Sequence, residues 1–295
     1  MNEIVIISGK GGTGKTSLAA SLASLAGRDC ILADCDVDAA DMHLLMEPDY
    51  KISEDFYSGE LAVIDQEKCT SCGICAEVCR FDAIKLQESC FTIDSLACEG
   101  CGYCSKVCPE AAIENIQRHV GQHYVSGIKT GATMVHASLK IGADNSGKLV
   151  AKVKNDARAL ASKNGVRAII VDGSPGIGCP VVSSLSGADY VVLVTEPTVS
   201  GLHDLERVLE LVKKFRLRSG CIINKYDLNH GISAKIKSFL LDQDVSLIAE
   251  FPYHKSFSKA ITLGKTIIEY DPRGPGALIR KAWVRINEKL LNEEK

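Results

Sequence analysis

Ile4-Val5-Ile6-Ile7-Ser8-Gly9-Lys10-Gly11-Gly12-Thr13-Gly14-Lys15-Thr16 is the stretch from which the fold can be read. Its first four residues are all β-branched and apolar, which suits a strand buried on both faces of a parallel sheet. Gly9 to Thr16 match G-x4-G-K-S/T, and the Ala-, Leu- and Ser-rich segment from Ser17 to Gly27 reads as a helix. Strand, glycine-rich loop and helix, in that order, are the setting in which such a loop cradles phosphate. The N–H groups of the loop and of the helix N-terminus point at the phosphate oxygens. Gly9, Lys10, Gly11, Gly12, Thr13, Gly14, Lys15, Thr16 and Ser17 are therefore the expected nucleotide contacts. Lys15 would reach the β- and γ-phosphates and the Thr16 hydroxyl would ligate Mg²⁺.

The same logic runs outward. Cys30-Ile31-Leu32-Ala33 is a second apolar run and ends in the acidic cluster Asp34-Cys35-Asp36-Val37-Asp38. Ala168-Ile169-Ile170-Val171 is a third and ends in Asp172, a carboxylate at the C-terminal edge of the sheet, where ligands of open parallel sheets bind and Mg²⁺ could be held through water. Strands are expected at 190–194, 221–223 and 246–250, with helices at 201–215, 231–242 and 275–292. Strands alternating with helices predict a doubly wound α/β sheet. Asn292 to Lys295 reads as a solvated tail.

One segment breaks this pattern. Nine of the 13 cysteines lie between Cys69 and Cys108, and eight of them, all but Cys90, form two quartets spaced C-x2-C-x2-C-x3-C: Cys69, Cys72, Cys75, Cys79 and Cys98, Cys101, Cys104, Cys108. The second quartet repeats the first 29 residues later, and Ile64-Asp65, Gly73, Val78 and Ala83-Ile84 recur at Ile93-Asp94, Gly102, Val107 and Ala112-Ile113. Such a period means two copies of one supersecondary unit. C-x2-C pairs also bind zinc, but a run of four at this spacing, twice over, is the pattern of iron–sulfur ligation. The fourth cysteine of each run serves the other cluster, as in two-cluster ferredoxins. One 4Fe–4S cluster is thus assigned to Cys69, Cys72, Cys75 and Cys108, and a second to Cys98, Cys101, Cys104 and Cys79. Residues 60 to 116 resemble a two-cluster bacterial ferredoxin domain of α+β type along their whole length. Cys108 is followed by Pro109, as in that family, but Cys79 is followed by Arg80, a cation able to raise the potential of the nearby cluster. The expected organisation is an ATPase domain over 1–58 and 119–295, interrupted by an inserted ferredoxin domain over 59–118. The stretch 119–150 fits neither part well.

Lys10-Gly11-Gly12-Thr13-Gly14-Lys15-Thr16 resembles the deviant phosphate-binding loop of the MinD, Mrp and nitrogenase-iron-protein superfamily of dimeric ATPases. That resemblance implies a homodimer closed over ATP and Mg²⁺, with Lys10 reaching the partner's phosphates as an arginine finger does. It implies that Asp36 orients the attacking water near Mg²⁺, with Asp34 and Asp38 close behind, and that Gly173-Ser174-Pro175-Gly176 is a γ-phosphate sensor. Lys10, Lys15, Asp36 and Asp172 are then the catalytic set, and Thr16, Asp36 and Asp172 the Mg²⁺ set. Asn224-Lys225-Tyr226-Asp227 also fits the guanine-reading N-K-x-D pattern, which leaves GTP open. In the superfamily, Asn224 contacts adenine instead, helped by Pro252-Tyr253. Cys179 lies at the offset from Asp172 where the nitrogenase iron protein carries a cluster ligand, but the upstream partner cysteine has no counterpart here. Cys30, Cys35, Cys90 and Cys221 read as structural, and the histidines form no ligand spacing.

Composition sets the remaining bounds. The 34 basic and 37 acidic residues leave a net charge of −3, and aromatic residues make up 5%. Neither a basic field nor a stacking platform for nucleic acid follows. No apolar run approaches the ~20 residues that span a bilayer. Met1-Asn2-Glu3 lacks the basic start of a secretory signal, so a cytoplasmic, membrane-free protein is expected. The function these features favour is an ATP-hydrolysing dimeric switch coupled to electron transfer, gating delivery to, or maturation of, a redox protein or metalloenzyme. The alternatives are an iron–sulfur cluster carrier and a MinD-like spatial regulator with structural clusters.

Overall fold

The computed structural model describes residues 1–143 and 145–291; the expected tail at Asn292 to Lys295 lies outside them. Eleven strands carry the architecture: β1 (Asn2–Ile7), β2 (Cys30–Asp34), β3 (Ile52–Ile64), β4 (Ile84–Gln87), β5 (Cys90–Ile93), β6 (Ile113–Gly127), β7 (Thr133–Leu139), β8 (Ala168–Asp172), β9 (Tyr190–Thr195), β10 (Ser219–Asn224) and β11 (Ser246–Phe251). Nine of them form one sheet in the order β11-β10-β9-β1-β8-β2-β7-β6-β3. All pairs from β11 to β7 are parallel. β1, β2, β8 and β9 are buried along nearly their whole length, which is why they read as unbroken apolar runs.

Helices cover the sheet by matching residue size to distance. Helix Lys15–Ala26 buries Leu18, Ala19, Ala20, Leu22 and Ala23, small side chains that let it lie close. Helix Ser146–Asn164 buries Leu149, Val150, Val153, Ala157 and Ala161, an i, i+3/i+4 stripe. It is pinned by charge as well. Lys154 Nζ lies 2.6 Å from Glu3 Oε1 on β1, and Arg158 grips the same carboxylate at 2.6 and 3.0 Å. Lys154 also donates to the carbonyls of Ser184 and Ser186. Helix Val199–Lys214 starts at Thr198, whose hydroxyl accepts from the Gly201 N–H at 2.9 Å.

The chain divides into two compact units. One comprises Met1–Glu54, His123–Ser138 and the chain from Ser146 on; the other comprises Asp55–Gln122 and Leu139–Asn145. β3 and β6 each begin in one unit and end in the other. These two long strands and β7 occupy sequence that the strand–helix alternation did not resolve, including most of 119–139.

Within the second unit the sequence repeat becomes a repeat of backbone. Helices Ile74–Glu77 and Tyr103–Val107 follow left-handed Gly73 (φ 84°) and Gly102 (φ 70°). Ser71 and Gly100, then Asp82 and Ala111, are further pairs of equivalent left-handed residues. The halves interlock reciprocally. Asp65 N–H donates to the Ala112 carbonyl and Asp94 N–H to the Ala83 carbonyl, both at 2.8 Å. β4 and β5 join the halves as an antiparallel hairpin, with Ile84 opposite Ile93.

Candidate functional site

The phosphate-binding loop leaves β1 at its C-terminal end. Gly12 (φ 77°) and Gly14 (φ 96°) take left-handed conformations that turn the chain into helix Lys15–Ala26. Gly9 is required for a different reason: a Cβ there would lie 2.3 Å from the Asp204 Cβ. Around the loop opens a groove of two connected parts. One, of about 350 Å³, is lined by Gly11, Gly12, Lys15, Thr16, Asp36 and Pro175. The other, of about 240 Å³, shares Gly12, Gly14 and Ser17 and runs to Asn224, Pro252, Tyr253 and Phe257. This size and apolar-to-polar gradient suit a nucleoside and its phosphates. Phe257, Ser258 and Ile261 in that wall belong to no sequence motif, and nothing in the sequence marked them.

The acids sit beside the loop in register. Asp34 on β2 pairs with Asp172 on β8. Asp172 is 1% exposed and neither of its carboxylate oxygens has a hydrogen-bond partner. Burial raises its pKa to about 7; Lys15 and the nearby Thr16 hydroxyl oppose the rise, though Thr16 makes no hydrogen bond of ordinary geometry. Burial also raises Asp36, with Lys15 opposing and Asp38 and Asp41 reinforcing. Asp34 is held well above the usual carboxylate range by burial and by Asp172. A buried, unpartnered carboxylate next to a lysine and a threonine hydroxyl is an arrangement completed by a cation. Thr13 is a second buried residue whose hydroxyl has no partner.

Lys10 points elsewhere. Its Nζ lies 2.6 Å from Glu196 Oε1 and donates to Thr198 and Ser200 at 3.2 and 3.3 Å. Glu196 also binds Lys225 Nζ at 3.1 Å, and the two lysines hold its pKa low against the opposing effect of burial. Glu196 lies in the loop expected after β9, but no motif marked it as a site residue. Asn224 donates to the Thr13 carbonyl at 2.8 Å. Asp227, the residue that left GTP open, accepts the Tyr253 N–H on Oδ1 at 2.7 Å and does not line the groove. Cys179 is exposed at the start of helix Cys179–Leu185. Cys30, Cys35 and Cys221 are buried, whereas Cys90 is exposed on β5, so it does not take the packing role expected of it.

The eight clustered cysteines are free thiols that line two cavities. One is lined by Cys69, Cys72, Cys75 and Cys108, with Ile64, Phe91 and Ile113 in its wall. The other is lined by Cys79, Cys98, Cys101 and Cys104, with Ile84, Phe81 and Tyr103 in its wall. Among the described residues, no group of three or more His, Cys, Asp or Glu is gathered closely enough to hold a metal ion.

Strand–loop–helix geometry, the acids at the sheet edge and the groove define a P-loop nucleotide-binding α/β domain. The profile described as CobQ/CobB/MinD/ParA nucleotide binding domain matches residues 4–267, and the chain belongs to that family. It is 37% identical to the uncharacterized protein MJ0578 of Methanocaldococcus jannaschii over 231 residues, covering 77% of this chain and 79% of the relative. It is 28% identical to MJ0579 of the same organism over 278 residues, 92% of this chain and 94% of the relative. In fold it is similar to the septum site-determining protein MinD complexed with Mg-ADP from Pyrococcus horikoshii, with a TM-score of 0.57 and 20% identity over 98% of this chain and 96% of the other. It is also similar to the Cyanothece McdA(D38A)-ATP complex, with a TM-score of 0.58 and 16% identity over 98% and 96%. No helix among the described residues is long and apolar enough to cross a membrane.

Proposed function

We propose that the chain is an ATP-hydrolysing, dimerising switch that carries two 4Fe–4S clusters and couples its nucleotide state to electron delivery, or to maturation of a metalloenzyme or redox partner. The observation that carries this reading is the pair of cavities, each lined by three thiols of one repeat and the fourth of the other, in a chain that also builds a nucleotide groove. The donor set, four thiols at the C-x2-C-x2-C-x3-C spacing shared crosswise between two sites, and the left-handed Gly73 and Gly102 that turn the ligand loops support a cube at each site. The clusters would supply one-electron chemistry. The chain's own part is to hold them among apolar walls that exclude water.

At the groove, Lys15 and Thr16 would hold the phosphates and Mg²⁺, Asp172 would help hold the cation, and Asp36 would position the attacking water. Lys10 exchanges its contact with Glu196 for the γ-phosphate bound to a second protomer. ATP is favoured over GTP because Asp227 is committed to Tyr253 N–H, while Asn224 remains in the groove wall. The unit 55–122 with 139–145 is the inserted ferredoxin domain in this reading. The alternatives, a cluster carrier or a MinD-like spatial regulator, differ in what the clusters do.

Anaerobic purification should give about eight irons per chain, four for each quartet. The oxidation rate of the dithionite-reduced clusters by a protein acceptor should change several-fold with MgATP, and Lys15→Ala should abolish the change. Eight firmly held irons with a rate indifferent to nucleotide would sink the coupled reading. Extra, labile iron lost in Cys179→Ser would favour the carrier.

A further inference from the structure

We infer that Asp49, Tyr50, Tyr124, Ser126 and His136 form a clasp that transmits the state of the acidic loop Asp34–Asp41 to strands β3 and β6, and so to the cysteine-bearing segment those strands bracket. The inference rests on the nucleotide-switch reading above and names the element through which the switch acts.

Two routes lead from the acids to the clasp. Along the chain, the acidic loop runs into helix Met42–Met46, then left-handed Glu47 (φ 49°), then Asp49 and Tyr50, and enters β3 at Ile52. Across the sheet, β2 pairs with β7 so that Asp34 lies opposite His136, and Asp34 lies opposite Asp172 on its other side. Both routes converge on the end of β6. Asp49 N–H donates to the Gly127 carbonyl at 3.0 Å, and Asp49 Oδ1 accepts the Gly127 N–H at 2.9 Å. The Tyr50 ring stands edge-on to Tyr124 at 5.2 Å and to His136 at 5.4 Å, and Tyr124 stacks on His136 at 5.0 Å. His136 Nε2 shares a hydrogen bond with Ser126 Oγ at 2.9 Å.

Tyr50 is the informative residue. Its φ of 48° lies in the left-handed region, where a bulky side chain is an outlier. The ring is half exposed, so burial alone does not hold it there. Backbone held in such a state marks a place where the surroundings over-determine the chain. Phosphate and Mg²⁺ binding use none of these rings. The clasp joins the strand that enters the inserted segment to the strand that leaves it, directly downstream of the acidic loop that carries Asp36, the residue expected to position the attacking water. It is thus a contiguous packed and hydrogen-bonded network of the kind that carries coupling.

Hydrogen–deuterium exchange on the anaerobically purified chain tests this, with Mg²⁺ and the non-hydrolysable analogue adenosine 5′-(β,γ-imido)triphosphate. In wild type, the analogue should slow exchange at residues 9–17, reporting binding, and should change exchange at 113–122 several-fold. Tyr50→Phe should keep both responses. Tyr50→Gly is well suited to the left-handed backbone, so it should fold; it should keep the response at 9–17 and lose that at 113–122. Retention of the full response at 113–122 in Tyr50→Gly overturns the clasp and leaves the nucleotide switch standing. Absence of any response at 9–17 in wild type overturns the nucleotide reading and the clasp with it.

Discussion

Asp172 holds an ionisable carboxylate in a site with no hydrogen-bond partner for either oxygen, and the protein bears that cost for as long as no cation completes the site. Asp172→Ala should therefore raise stability in the absence of nucleotide by about 1–3 kcal/mol, or about 2–4 °C of melting temperature per kcal/mol. MgATP hydrolysis should fall to background in the same variant. Differential scanning calorimetry beside a phosphate-release assay checks both; a destabilised variant would mean that the carboxylate is partnered. His136 behaves in the opposite sense to a paired histidine. Burial, reinforced by His123 and His43, lowers its pKa from 6.5 to about 4. The unfolded chain therefore binds a proton between those values that the folded chain refuses. The stability this histidine contributes is complete above pH 6.5 and is lost as pH falls toward 4, by up to about 3 kcal/mol. Denaturant midpoints of wild type and His136→Gln should differ in slope across that window and run parallel above it.

Helix Ser146–Asn164 shows how one element is fixed by both packing and charge. Only its start was legible, since Ser146-Gly147-Lys148 resembles the start of the corresponding helix in the family. Its apolar stripe went unread, and its ion pair with Glu3 was beyond reach because residues 151 positions apart carry no local signal. Lys154→Met keeps the volume but leaves Glu3 buried with only Arg158, and should cost about 3 kcal/mol in urea titration. The same contrast runs through the molecule. Strands β1, β2, β8, β9 and β10 were legible because burial on both faces writes a continuous apolar run. The phosphate-binding loop and cysteine quartets were legible because their chemistry fixes both residue type and spacing. β3 and β6 were not: β3 alternates without a clear apolar face, and β6 mixes Gln, Arg and His into its run. Glu196 and the Asp227–Tyr253 bond escaped for a related reason. Both depend on which loop tertiary folding brings to the sheet edge, and a four-residue N-K-x-D match holds no information about that.

At the scale of the whole molecule, the two units draw their stability from different sources. The nucleotide unit has a broad aliphatic core. The core of the other combines a few apolar residues, such as Ala62, Ile64, Ile84 and Ile113, with Cys75, Cys98 and Cys104. On the proposed reading, a unit of that size with so thin a core draws much of its stability from the clusters. Iron removal should therefore expose the segment 55–122 to protease and rapid amide exchange while nucleotide binding at the groove persists; simultaneous collapse of both would show a single cooperative fold. The crossed thiols have a further consequence. Each copy of the 29-residue motif contributes three ligands to one cavity and one to the other, so a lone copy completes neither. Two separate copies facing each other about a two-fold axis would complete both. The tandem arrangement thus has the logic of a homodimer contained in one chain, with the hairpin of β4 and β5 joining its halves.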